Sequence, residues 1–268
     1  TLVCDAATFV SRLNERTVGM QVLNTAEWLR YCRSAKAAYP VYQESQAKPQ
    51  TRTNLYLFGH CLSQIARTDD VIVQSPTGRA CTIMGLSFTR REGQVMIGAM
   101  GLGSMGFALP GAIGACIACG KRRTVVLEGD GSMQHNLQEL ALIRGYDLPV
   151  KLFVLNNNGY SSIAVMQDNH FQGRHAGCGT DSGVFCCDMK KLADLYGLEY
   201  YAIRHDEEIQ PVLAEVMADD RAMLCEVFAD YTFDEVPKAM SRVNSDGTMS
   251  SSVLEDLYPF LPKEETEK

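Results

Sequence analysis

The sequence has no excess of basic charge: 25 Lys and Arg stand against 32 Asp and Glu, a net charge of −7. No basic run is longer than Lys121-Arg122-Arg123. A nucleic-acid surface is therefore excluded as an expectation, and that trio reads as the solvated start of a strand. There is one tryptophan, Trp28. The ten cysteines show no disulfide framework, and a chain of 268 residues has ample core without one. Cys116-x-x-Cys119 lies in an apolar, small-residue segment without histidine partners, so packing is expected rather than redox or metal chemistry. Cys186 and Cys187 are adjacent and expected to be unbridged. A reducing cytoplasm suits this usage, and no leader pattern is visible at Thr1. One uncharged run, Val95 to Gly120, has the length of a membrane span. It holds seven glycines and Pro110 between strand-like flanks, so a buried strand, loop and helix are expected, and no membrane. No internal repeat is present.

What is there alternates. Residues 1–50 are helical in pattern, with Asp5 placed to cap a helix through Leu13 and Thr25 one through Ala38. Pro40 and Pro49 punctuate the stretch after the second of these helices. Residues 51–230 read as helix Leu55 to Ala66, strand Val71 to Gln74, strand Gln94 to Ile97, helix Phe107 to Cys119, strand Thr124 to Glu128, helix Ser132 to Arg144 and strand Val150 to Leu155. Met189 to Tyr196, Glu199 to Ile203, Glu207 to Met217 and Met223 to Val227 continue the alternation. The fold class is α/β: a doubly wound, mostly parallel sheet with helices on both faces. Residues 231–268 are polar and irregular, with a turn at Asp246-Gly247, an apolar docking stretch from Leu254 to Leu261, and a disordered end from Lys263.

The most informative pattern is Gly129-Asp130-Gly131-Ser132 followed by Asn156-Asn157, with Asn157 27 residues after Asp130. Two strands of a parallel sheet would deliver a carboxylate and an amide oxygen to one carboxyl edge, where such folds bind ligands. Mg²⁺ prefers hard oxygen ligands shared with phosphates. Gly131 lets backbone approach a phosphate, and Ser132 lies where a helix offers free N–H groups. Alone, Asp130 would read as a helix cap. Thr77-Gly78-Arg79, at a strand end, suits a phosphate oxygen or an ordinary turn.

These residues, with Gly101-Leu102-Gly103-Ser104-Met105-Gly106-Phe107-Ala108-Leu109-Pro110 upstream and Asn156-Asn157-Asn158-Gly159-Tyr160 downstream, resemble the thiamine diphosphate-dependent enzymes of the acetolactate synthase-like family. The match is to their C-terminal diphosphate-binding domain and runs from about Asn54 onward. The resemblance implies thiamine diphosphate and Mg²⁺ as cofactors, with Asp130, Asn157 and the Gly159 carbonyl as metal ligands. It implies diphosphate contacts from Thr77, Gly78, Arg79, Gly129, Gly131, Ser132 and Tyr160. Gly103 and Met105 would hold the aminopyrimidine, with Ser104 between them and the Met105 side chain propping the bent cofactor; plain packing is the other reading of Met105. His135 either approaches substrate or is a surface or satisfied core histidine. Glu139 reads as structural, and His170 and His175 carry no metal-ligand spacing. Met166 stands where acetolactate synthases carry a tryptophan that shapes the acceptor pocket, which implies a larger, more adaptable pocket.

The family's catalytic glutamate belongs to an N-terminal, pyrimidine-binding domain that this sequence does not include. The resemblance thus implies half of an active site, completed by a second chain or a missing N-terminal part in a hetero- or homo-oligomer. Residues 1–50 would be the remnant of the central domain and its connecting helix, and 231–268 a tail near the entrance. FAD stays open, since the central domain that would hold it lies outside this sequence. The implied reaction is decarboxylation of a pyruvate-like 2-oxo acid with transfer to a carbonyl. Simple decarboxylation and a non-catalytic regulatory subunit are the alternatives. A rival reading is dinucleotide binding, since Gly101-x-Gly103-x-x-Gly106 formally fits that fingerprint and Glu128 lies at about the right distance beyond it. Pro110 would fall inside the fingerprint helix, and Asp130 and Asn157 would go unexplained.

Overall fold

The computed structural model describes residues 3–20, 25–40, 42, 51–232, 235–239, 241–243, 246, 248–251, 253–254 and 256–261. The expectations on Pro49, Gly247 and Lys263 to Lys268 fall outside these residues. Contacts divide the chain into two units, Thr1–Pro40 and Val41–Lys268.

The first unit contains α1 (Ala6–Thr17) and α2 (Ala26–Ala38), neither with a buried residue. Asp5 caps α1, its carboxylate accepting from the Thr8 N–H at 3.0 Å. Trp28 and Tyr31, one turn apart, stack with centroids 5.5 Å apart.

The second unit is built on six strands: β1 (Val71–Gln74), β2 (Val95–Ile97), β3 (Thr124–Gly129), β4 (Val150–Asn156), β5 (Glu199–Ile203) and β6 (Met223–Phe228). Their order is β2-β1-β3-β4-β6-β5, and every pairing is parallel. The chain runs outward from β1 to β2 and then returns to β3 on the other side. The crevice between the carboxyl ends of β1 and β3 is therefore a topological switch point. Alternate strand residues serve two cores. Ile72, Val125, Leu127, Phe153 and Val227 pack with α3 (Leu55–Ile65), α4 (Gly78–Ser87) and α10 (Asp206–Val216). Val71, Val73, Val126, Val150 and Leu152 pack with α5 (Ala108–Ala118), α7 (Leu140–Gly145) and α9 (Met189–Tyr196). The uncharged run thus becomes β2, a loop and α5, and among the described residues no helix is long and apolar enough to cross a membrane.

Three readings of the sequence need correction. Ser132 to Arg144 is not one helix: α6 (Asp130–Met133) stops after one turn, and a 3-10 turn, Leu137–Glu139, leads into α7. The side chains of Gln134 and Asn136 bond backbone carbonyls instead, at Asp130 (3.1 Å) and Gly106 (2.7 Å), which competes with helix propagation. Two helices were not foreseen, α4 and α8 (Ser161–Phe171). Arg123 is not solvated: its guanidinium grips Asp70 through two bonds of 2.8 and 2.7 Å and is 3% exposed. Lys121 and Arg122 also bond backbone carbonyls, of Tyr146 and Asp69. After β6, β7 (Ser241–Val243) and β8 (Met249–Ser251) pair antiparallel on either side of Asp246.

Candidate functional site

β3 ends at Gly129, paired with Leu155, and the neighbouring β4 ends one residue later at Asn156, so Asp130 and Asn157 emerge at the same carboxyl edge. Asp130 is 1% exposed. Its Oδ2 accepts the Gly159 N–H at 2.8 Å and its Oδ1 the Gly131 N–H at 2.9 Å. Burial pushes its carboxyl up to about 6, against the opposing pull of the N–H groups of Gly159, Gly131, Asn157 and Asn158. Asn157 donates from Nδ2 to Ser161 Oγ at 3.0 Å, while its buried Oδ1 has no hydrogen-bond partner. Two close approaches require glycine. A Cβ on Gly131 would meet the Tyr160 ring at 2.6 Å. Gly159 has φ +120, and a Cβ there would lie 2.5 Å from the Cys178 carbonyl oxygen. That carbonyl accepts the Tyr160 N–H at 2.7 Å, so the loop around Cys178 closes over the turn.

The crevice at the switch point holds a cavity of about 290 Å³. Asp130, Gly129, Gly131, Ser132, Asn157, Gly159 and Tyr160 line it from the β3 and β4 ends. Thr77, Gly78 and Arg79 line it from the end of β1, and Met105 from the glycine-rich loop. Thr77 to Arg79 is not a simple turn but the start of α4, whose first N–H groups have no side-chain cap. Arg79 is 6% exposed and spends its terminal nitrogens on the Glu235 carboxylate and, at 2.7 Å, the Tyr231 carbonyl. Its Nε has no partner. Among the described residues, Arg79 Nε and Asn157 Oδ1 are the buried side-chain polar atoms left unpaired, and both belong to this one cavity. Unmet donors and acceptors of this kind are rare in folded proteins. An orphan amide oxygen beside a buried carboxylate suits a hard cation, and an orphan guanidinium N–H beside a helix start suits an anion. The residues present therefore fit a metal-bound diphosphate.

The glycine-rich loop is tied to this turn: the Gly106 N–H donates to Ser132 Oγ at 2.8 Å. Gly103 passes Thr77, its Cβ position 3.8 Å from Thr77 Cγ2, and Ser104 is exposed; neither lines the cavity. α5 begins at Ala108, after the third glycine, and Pro110 stands in its first turn, where no N–H is needed. Glu128 is fully buried and accepts the Ala108 N–H at 3.1 Å, which commits its charge to the start of α5 rather than to a ribose.

Other candidate residues stand apart. His135 is exposed in the turn after α6, beside Gly106, and Met166 sits on α8, 39% exposed; neither lines the cavity. Glu139 lies in the 3-10 turn. His175 bridges two carboxylates, Asp168 Oδ1 at 2.9 Å and Asp181 Oδ2 at 3.2 Å, and its ring meets Tyr231 edge-on. The Asp168 bond, then the Asp181 bond, raise its pKa. Among the described residues no cluster of three or more His, Cys, Asp or Glu has metal-binding geometry. The sequence reading missed Ser161, whose hydroxyl orients Asn157; a hydroxyl residue opening a helix just after Gly159-Tyr160 was the available signal.

A family model described as "Thiamine pyrophosphate enzyme, C-terminal TPP binding domain" matches residues 77–227. The isozyme 3 large subunit of acetolactate synthase from Escherichia coli K12 is 34% identical over 165 residues, 62% of this chain and 28% of that protein. An acetolactate synthase large subunit from Lactococcus lactis is 25% identical over 225 residues, 82% of this chain and 37% of that protein. The chain thus spans well under half of the length of these relatives. In fold it is similar to a thiamine diphosphate-dependent 4-hydroxybenzoylformate decarboxylase from Rhodococcus jostii RHA1, with a TM-score of 0.60 at 22% identity over 70% of this chain and 34% of that one. With a parallel sheet that brings Asp130, Asn157 and the start of α4 to one cavity, and with the family model covering more than half of its residues, this chain belongs to the thiamine pyrophosphate enzymes and carries their C-terminal TPP-binding domain.

Proposed function

We propose that this chain is the diphosphate-binding half of a thiamine diphosphate- and Mg²⁺-dependent enzyme that decarboxylates a pyruvate-like 2-oxo acid and transfers the acyl unit to a carbonyl acceptor. The pair of orphaned atoms carries the reading: Asn157 Oδ1 calls for a cation and Arg79 Nε for an anion within one cavity. Asp130, Asn157 and the Gly159 carbonyl hold Mg²⁺. Thr77, Gly78 and Arg79 at the start of α4, with Ser132 and Tyr160, hold the diphosphate. Met105, on the cavity wall, supports the organic part of the cofactor beside Gly103. When bound, the cofactor supplies a nucleophilic carbon and an electron sink for loss of carbon dioxide. Met166, exposed on α8, belongs to the acceptor side. The glutamate that activates the cofactor comes from a pyrimidine-binding domain on a partner chain or elsewhere in a longer polypeptide. The share of the relatives that this chain spans supports that division.

Thermal melting tests the reading. Ligand at a hundred times its Kd adds about 2.7 kcal/mol of stability, which for a domain of this size raises Tm by roughly 5–10 °C. The rise is expected only when Mg²⁺ and thiamine diphosphate are added together, and 2-oxo acid turnover only when the pyrimidine-binding part is also present. A full response to NAD instead, or none to the pair, overturns the assignment.

A further inference from the structure

Glu226 has no part in the cavity, yet it is 5% exposed in β6, between β4 and β5, at the carboxyl half of the sheet. Its carboxylate has two partners from the neighbouring strands. Tyr200 Oη of β5 donates to Oε2 at 2.6 Å, and Asn156 Nδ2 of β4 donates to Oε1 at 2.5 Å. A carboxylate only accepts, so it fixes which end of the Asn156 amide faces it. The other end, Asn156 Oδ1, accepts the Asn158 N–H at 3.0 Å. Asn158 is thereby held at φ 69, in the left-handed region, while its own Oδ1 accepts from Thr180 Oγ1 at 2.8 Å. The next residue is Gly159, whose N–H bonds Asp130 and whose carbonyl is a proposed cation ligand.

The geometry points to Glu226 as a positioning residue for the cation site: through Asn156 it sets the turn that presents Asn157 and the Gly159 carbonyl beside Asp130. This rests on the cation reading above. Residues that orient metal ligands in this way change metal affinity by about 10–100-fold when lost.

The two roles open to a buried carboxylate, holding a shape and supplying negative charge, respond differently to substitution. In Glu226→Gln, the side-chain oxygen still accepts from Asn156 while the new NH₂ donates to Tyr200 Oη, so the shape survives and the charge does not. In Glu226→Leu both are lost. The experiment is Mn²⁺ binding to the full chain in the presence of thiamine diphosphate, read by electron paramagnetic resonance, with the urea midpoint measured alongside. The expected result is a tenfold or greater loss of Mn²⁺ affinity in Glu226→Leu and less than a threefold change in Glu226→Gln. If Glu226→Leu does not fold, Asn156→Ala breaks the same link and must give the same loss. Equal losses in the Gln and Leu variants would mean a charge effect, and unchanged affinity in both would mean a purely structural carboxylate; either overturns the inference. A wild-type chain with no saturable Mn²⁺ site would instead overturn the cation reading itself.

Discussion

Asp130→Asn should make the cation-free protein more stable while abolishing its response to cofactor. Burial raises the Asp130 carboxyl from 3.8 to about 6. At about 1.4 kcal/mol per pH unit, holding this group ionised at neutral pH costs the fold on the order of 3 kcal/mol. The sign comes from linkage. A carboxyl whose folded pKa is raised binds its proton more tightly in the folded state. The penalty is therefore absent below the ordinary carboxyl value, grows as pH rises, and is complete above about 6. Asparagine removes the charge but turns one NH₂ toward the N–H of Gly131 or Gly159, a mismatch worth about 1–2 kcal/mol. The net expectation is a gain of about 1–2 kcal/mol, or roughly 2–8 °C in Tm for a domain of this size. The assay is thermal melting in EDTA from pH 4 to pH 8, repeated with Mg²⁺ and thiamine diphosphate. The wild type should gain stability on acidification through the window from about 6 down to 3.8, the variant much less, and only the wild type should be stabilised by the ligands at neutral pH. A variant that melts below the wild type in EDTA at neutral pH, or that keeps the ligand response, refutes the reasoning.

Gly159→Ala places a Cβ at φ +120 and 2.5 Å from a backbone oxygen, so a loss of at least about 2 kcal/mol and of the cofactor-induced Tm rise is expected in the same melts. Asp70→Ala strands the buried Arg123 guanidinium at the far end of the sheet; urea unfolding should show a loss of about 3–5 kcal/mol, and an unchanged midpoint would mean that Arg123 finds other partners. Hydrogen bonds to Asp168 and Asp181 raise the His175 pKa, so its pinning of the loop is fully present below the usual histidine range and fades as pH rises through its raised value. Hydrogen exchange at Ala176 to Gly179, corrected for intrinsic rate, should show protection falling over that interval in the wild type and no such step in His175→Gln.

The central strands were legible because buried parallel strands are short, unbroken apolar runs with polar ends; Val71 to Gln74 falls where the pattern puts it. α4 was hidden because its buried residues, among them Arg79, Ala80, Ile83 and Ser87, mix polar with apolar and make no clean stripe. The break after Met133 was hidden because Gln134 and Asn136 act through side-chain bonds that helix propensity does not record. Arg123 looked solvated because its partner, Asp70, lies 53 residues away.

The sequence by itself determined the elements and the chemistry at their ends: a carboxylate after one buried strand, an amide after the next, and glycines where backbone or ring comes too close. Those properties are local, set by side-chain period, turn chemistry and residue type. Only the tertiary structure decided the strand order that opens the crevice between β1 and β3, the unpaired atoms of Asn157 and Arg79, two residues that line one cavity, and the carboxylate of Glu226 reaching Asn156 from 70 residues away. The alternation along a strand says which face a side chain takes, not which strand lies beside it, and a hydrogen bond is made or left unmade only once that neighbour is in place.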